Sequence, residues 1–222
     1  MRQYYIVSYY MNLDDLSNYT KLENGVIKQK NVNKIEYNYE YSNKYNNYGE
    51  KSNYLSYLRL GVLLGSINKI PSSILDVGYG NGSFLNASKN IIKNCSGFDI
   101  SGFPLPEDIT IETSITEKHF DVICFFDSLE HFDDINIIDK LNCDYVFISV
   151  PWCHYLSDEW FLNWYHRRPN EHLWHFNEES LSNFFREKGF ECVYKSNFED
   201  TIRKNSTCNG MPNILSAIFK KI

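Results

Sequence analysis

The chain has 222 residues, 43% of them hydrophobic and 16% aromatic, with a formal net charge of −6 at pH 7. That length suits one α/β core with an extension. The acidic balance works against attraction to nucleic acid or to an anionic membrane, and nothing approaches the ~18 consecutive apolar residues of a membrane span.

No charged-then-apolar leader follows Met1, so a cytoplasmic location is expected. Residues 1–50 are rich in Tyr, Asn and Lys and read as an N-terminal extension or lid. Tyr4 to Tyr10 is β-prone, and Asn24-Gly25 between 19–23 and 26–30 signals a hairpin with a two-residue turn. Tyr41, Tyr45 and Tyr48 are either a lid over a ligand or plain surface aromatics. Leu55, Leu58, Val62 and Leu63 recur at helical spacing, which predicts a helix over 52–67 that Pro71 stops.

Beyond Pro71 the pattern alternates. Strands are expected over 73–77, 96–100, 110–113, 120–126, 145–150, 190–196 and 214–219, with helices over 83–92, 135–141 and 178–188. Asn177 and Gly189 suit the two ends of the last helix. Such alternation predicts a Rossmann-like α/β fold: a seven-stranded, mostly parallel sheet with helices on both faces. The last two strands lack a convincing helix between them, so the final strand is expected to run antiparallel. The six cysteines include no C-x-x-C pair and read as reduced, mostly buried thiols.

Three stretches carry chemistry. The first, 74–83, reads Ile-Leu-Asp-Val-Gly-Tyr-Gly-Asn-Gly-Ser: a buried strand, a glycine loop and a helix start. Such a loop lets a small molecule lie on the main chain, although a plain strand-to-helix turn gives the same pattern. A nicotinamide fingerprint needs its third glycine at position 83, where Ser83 stands. The second is Asp99, at the next strand end, near the ~20-residue spacing at which such folds place a ribose-binding acid; an ordinary cap or turn residue is the alternative. The third is the apolar run 120–126, which ends in Asp127, Ser128, Glu130 and His131. His131 suits either a general base or a structural histidine.

Together these stretches resemble class I S-adenosylmethionine-dependent methyltransferases, in particular the small-molecule branch with Leu-Glu-His after the fourth strand (here Leu129, Glu130, His131). The later Glu171–Asn177 stretch, followed by a helix and Gly189-Phe190, looks like the same branch; Tyr79 departs from it, where Cys or a small residue is usual. The resemblance implies S-adenosylmethionine as cofactor. It implies Asp76 at the methionine end, the loop main chain at Gly78, Tyr79, Gly80 and Gly82, Asp99 with neighbouring Ile100 at the ribose, Thr113, Ser114 and Ile115 near the adenine, and Asp127 and Ser128 near the sulfonium. From the residues themselves, Glu130 and His131 are the candidate catalytic pair, and Arg59, on the helix before the glycine loop, is either a contact for the cofactor carboxylate or a plain solvated helix charge.

All four tryptophans (Trp152, Trp160, Trp164, Trp174) fall between Pro151 and Phe176, with His154, His166, His172, His175, Arg167 and Arg168. The methyltransferase domain is expected over 51–222, with this segment, about 151–176, as a substrate cap. Aromatic faces suit a sugar or flat ring, and arginines suit an anion, so Trp152, His154, Arg167, Arg168, His172 and His175 are candidate substrate contacts. An aromatic structural insert or dimer surface is the alternative. Cys153, His154, His172 and His175 match no standard zinc spacing, so no metal is expected. The expected function is methyl transfer to a small metabolite or glycan precursor, without nucleic acid or membrane partners. A nicotinamide-dependent oxidoreductase and a non-catalytic cofactor-binding protein of the same fold are the alternatives.

Overall fold

The computed structural model describes residues 13–33, 35–36, 49–203 and 210–222. The β-prone 4–10 segment, Tyr41, Tyr45, Tyr48 and Cys208 lie outside the described residues.

Two short strands, β1 (Tyr19–Lys21) and β2 (Ile27–Gln29), precede helix α1 (Gly49–Ile67). Then come β3 (Ser73–Val77), α2 (Ser83–Ser88), β4 (Asn94–Phe98), β5 (Thr110–Ile111), β6 (Phe120–Phe126) and β7 (Cys143–Pro151). The chain continues through α3 (Asp158–Asn163), β8 (Trp174–His175), α4 (Glu178–Glu187), β9 (Phe190–Ser196), α5 (Asp200–Arg203) and β10 (Ile214–Lys221). Seven strands form one sheet in the order β5-β4-β3-β6-β7-β10-β9. The pairs β4–β5, β3–β4, β3–β6 and β6–β7 are parallel, while β10 is antiparallel to β7 and β9. The expected topology is therefore present, with β10 as the reversed strand.

Central strands of a parallel sheet are covered on both faces and read as continuous apolar runs. Accordingly Ile74 and Leu75 enter different core layers, as do Cys124 and Phe125. Leu60 and Leu63 of α1 pack on one face; Leu181, Phe184 and Phe185 of α4 pack on the other. The α4 cap is reciprocal: Ser180 N donates to Asn177 Oδ1 at 2.7 Å, and Asn177 N donates to Ser180 Oγ at 2.9 Å.

Local structure departs from expectation where side chains compete for the backbone. The second strand pairs over Asn94–Phe98, because Asp99 turns the chain by accepting from Ser101 N at 2.8 Å. The segment expected as a helix over 135–141 is a 3-10 turn, Ile135–Lys140, where Asp134 Oδ1 accepts from Asn136 N at 3.0 Å. The helix expected over 83–92 stops at Ser88, after which the amides of Ile91 and Ile92 both donate to Ser88 O, at 2.9 and 2.8 Å. The hairpin forms, but around a loop over 22–26: β1 and β2 pair Lys21 with Ile27. Gly25 takes φ +90°, as its type allows, while Val26 is drawn fully into the main core.

Strand β8 carried no signal in the sequence. The two-residue strand β8 pairs antiparallel with β2, making a second sheet, β1-β2-β8. It fastens the hairpin to the tryptophan-rich segment, with Tyr19 edge-on to Phe161 at 5.0 Å.

Candidate active site

A cavity of about 600 Å3 opens at the C-terminal ends of β3, β6 and β7, where ligands bind in open α/β sheets. Its walls come from α1 (Ser52, Ser56, Arg59), the glycine loop (Gly78, Tyr79, Gly80, Asn81), the β6 end (Phe126, Asp127, His131) and the cap (Tyr165, His166, Arg168, Glu171, His172). The sheet alone therefore does not make the site; α1 and the cap enclose it.

The glycine loop owes its form to φ and to crowding. Gly78, Gly80 and Gly82 have φ of +77°, +56° and +71°, which side chains rarely adopt. A Cβ on Gly78 would lie 2.7 Å from Ser128 Cβ, and one on Gly82 would lie 2.4 Å from Leu105 Cδ2. The amides of these glycines are engaged within the protein: Gly78 N donates to Phe98 O at 2.7 Å, Gly80 N to Asp99 Oδ2 at 3.0 Å and Gly82 N to Tyr79 O at 2.9 Å. Within the protein itself the glycines thus shape the loop. Tyr79 is buried in the core over Gly97, with its hydroxyl donating to Phe103 O at 2.6 Å.

Asp76 lines the cavity floor and is 3% exposed. Its Oδ1 has no hydrogen-bond partner among the described residues. Burial pushes its carboxyl up to about 7, Arg59 opposes that rise and Asp99 adds to it. Asp99 spends one lone pair of each oxygen on Gly80 N and Ser101 N, which leaves acceptor capacity for hydroxyls. Ile100 is exposed, and Ser114 Oγ lies 3.3 Å from Thr116 Oγ1. Asp99, Ile100 and Ser114 lie outside the cavity lining, on the β4–β5 side of the loop.

At the end of β6, Asp127 adopts φ +53°, an uncommon conformation for a non-glycine residue. It sits in a charge cluster. Arg203 pairs with both Asp127 oxygens and with Glu199 Oε2 at 2.7 Å. Arg59 makes two bonds to Glu199, Nε–Oε1 at 2.7 Å and Nη2–Oε2 at 3.0 Å, and its guanidinium lies 4.0 Å over the Phe126 ring. Ser149 Oγ donates to Glu199 Oε1 at 2.6 Å. The two guanidinium groups hold the Asp127 and Glu199 carboxyls below their ordinary range against the opposing effect of burial. Arg59 therefore has a structural partner in Glu199 as well as a place on the cavity wall. Glu199 and Arg203 escaped the sequence reading, which found no helix between the last two strands. α5 is a single turn there, and the i,i+4 spacing of these residues was its sole trace.

The cap candidates divide. His166, Arg168 and His172 line the cavity. Trp152 and His154 stack at 5.4 Å and line a separate open groove with Glu178, Arg186 and Lys195. Arg167 turns to Asp15, Nη1–Oδ2 2.8 Å. His175 is buried among Tyr19, Phe161 and Trp164, and burial pushes its imidazole down to about 3. Glu130 is 1% exposed behind His131, whose ring meets His172 edge-on at 4.7 Å. Ser128 packs beneath Gly78.

No helix among the described residues is long and apolar enough to cross a membrane. No curated protein sequence matches the chain. Solved structures with the same fold include a Listeria monocytogenes protein provisionally described as an S-adenosylmethionine-dependent methyltransferase (15% identity, TM-score 0.51, 69% of this chain and 92% of that one). Another is the plantazolicin methyltransferase in complex with a monoazolic desmethyl-PZN analog and SAH (16%, TM-score 0.51, 82% and 89%). A third is the magnesium protoporphyrin IX methyltransferase of Synechocystis with bound SAH (13%, TM-score 0.52, 77% and 83%). The family model described as "Methyltransferase domain" matches residues 50–195. That match, on a sheet of this order, removes support from the nicotinamide reading: the chain belongs to the methyltransferase-domain family and is a class I, S-adenosylmethionine-dependent enzyme.

Proposed function

We propose that the protein methylates a small anionic or sugar-like acceptor (a metabolite or a glycan precursor) held under the cap at about 151–176, and that it works in the cytoplasm. One observation carries this reading. The cavity that meets Asp76 and the glycine loop on one side meets Arg168, His166, His172 and Tyr165 on the other. Cofactor and acceptor would thus share one enclosed space, and methyl transfer depends on in-line positioning and exclusion of water.

S-adenosylmethionine fits the residues present. The buried, unpartnered Asp76 Oδ1 suits the amino group of the methionine portion. The free acceptor capacity of Asp99 suits the ribose hydroxyls, and Ser114 is the candidate contact for the adenine. The bound cofactor would supply an electrophilic methyl group; Asp76, Asp99 and the loop would hold it, and Asp127, which lines the same cavity, would lie beside it. Arg168 and His131 both line the cavity; Arg168 would offer the acceptor a cation, and His131 would take a proton from it.

The test is transfer of radiolabel from methyl-labelled cofactor to a panel of sugar phosphates, carboxylated metabolites and neutral controls. Label should enter an anionic or glycosyl acceptor. Arg168→Ala should raise its KM about 10- to 100-fold, the loss of one charge-assisted contact, without changing cofactor affinity. Cofactor binding with no turnover on any acceptor would instead favour the non-catalytic reading.

A further inference from the structure

Behind the cavity wall, Glu130, His131 and His172 bring one carboxylate oxygen and two imidazole nitrogens within 4.8 Å of one another. His131 Nε2 lies 4.0 Å from Glu130 Oε1. The two segments are fastened face to face. Leu173 N donates to Glu130 O at 2.8 Å, and Trp174 Nε1 donates to Phe132 O at 2.6 Å. These bonds set His172 opposite the Leu129–His131 turn by backbone registry.

The chemistry of the three groups is that of ligands. His172 Nδ1 lies 2.8 Å from the His166 carbonyl, so that nitrogen carries the proton and Nε2 keeps its lone pair. This is how metal-binding histidines are oriented by a second partner. Glu130 is 1% exposed, yet neither carboxylate oxygen has a hydrogen-bond partner among the described residues. Asp127 and Glu199 are answered by Arg59 and Arg203, whereas Glu130 is left as a buried carboxyl without such a bond among the described residues.

We propose that Glu130, His131 and His172 bind a divalent first-row transition cation, with its open coordination positions facing the cavity. One carboxylate and two neutral imidazoles suit Zn2+, Mn2+, Fe2+ or Co2+ better than Ca2+ or Mg2+, which prefer all-oxygen sites. Bonds of about 2.0–2.2 Å draw such donors to roughly 3–3.5 Å separation, so the side chains close in by about an ångström on binding. His131 and His172 line the cavity and Glu130 does not, which leaves the cation accessible from that side alone. Resting on the function proposed above, an acceptor oxygen would complete its coordination, with His131 then serving as a ligand in place of the proton-accepting role given to it there; the cation site itself does not depend on that reading.

The test is direct binding to the whole purified protein after chelator treatment. Co2+ should give visible ligand-field bands at one equivalent, displaced by Zn2+ and removed by EDTA, and the melting temperature should rise with added cation. Glu130→Gln and His172→Gln should each weaken binding by more than about 100-fold, beyond the 10- to 100-fold cost of losing an outer-shell partner. Absence of bands and of calorimetric heat with Co2+, Zn2+ and Mn2+ on the wild-type protein would overturn the proposal, whatever the variants do. So would unchanged affinity in folded Glu130→Gln and His172→Gln. A methyltransferase active after full metal removal, yet still taking up one cation at these residues, would leave the site standing and discard its link to the acceptor.

Discussion

Asp76 is the residue whose behaviour most depends on what fills the cavity. Its carboxyl is pushed up to about 7 by burial. A carboxyl raised above its unfolded value near 3.8 contributes stability below that value and loses it as pH rises through the folded one. The cofactor-free protein should therefore melt at a lower temperature on the alkaline side of neutrality than on the acid side, and Asp76→Asn should flatten that slope. An ammonium group beside Asp76 favours its ionised form, so cofactor binding should release a proton. Affinity should then rise roughly tenfold per pH unit up to about 7, as measured by titration calorimetry across pH. A pH-independent affinity would place the amino group elsewhere. The residue type and position of Asp76 were legible in the Asp-Val-Gly-Tyr-Gly sequence; its missing partner was not, because an unsatisfied oxygen is a property of the whole surrounding shell.

Among the elements, α5 does most for its length. Its single turn, with Glu199 just before it, supplies the groups that hold Arg59 and Asp127 at the cavity wall. Glu199→Ala would leave two guanidinium groups short of counter-charge. It should cost about 3–5 kcal/mol in urea unfolding, as removal of one member of a buried ion pair does. Asp127→Asn, at a side chain 37% exposed, should cost clearly less. Equal small losses would mean that water already screens the cluster. This network was invisible in the sequence because its members stand 140 residues apart at Arg59 and Glu199. The β2–β8 pairing was hidden for the same reason: two residues, Trp174 and His175, give no periodicity to read. By contrast β3, β6 and β9 were legible to the residue, since five to seven consecutive strand formers between turn residues leave little choice.

At the scale of the molecule, the sheet follows from alternation, and the family from three strand ends: Gly78–Gly82, Asp99 and Asp127–His131. What alternation cannot say is which side chains of the cap turn inward. Composition put Trp152 and Arg168 in one candidate set; the structure sends Trp152 to an outer groove and Arg168 to the cavity. As proposed, the glycine loop and Asp99 hold S-adenosylmethionine over the ends of β3 and β4. Calorimetric titration of the purified protein with S-adenosylmethionine tests it most directly, with folded Asp99→Ala as the control. Saturable binding at one site per chain is expected, with its loss in Asp99→Ala. No binding heat at millimolar cofactor, or unchanged affinity in the variant, would contradict it.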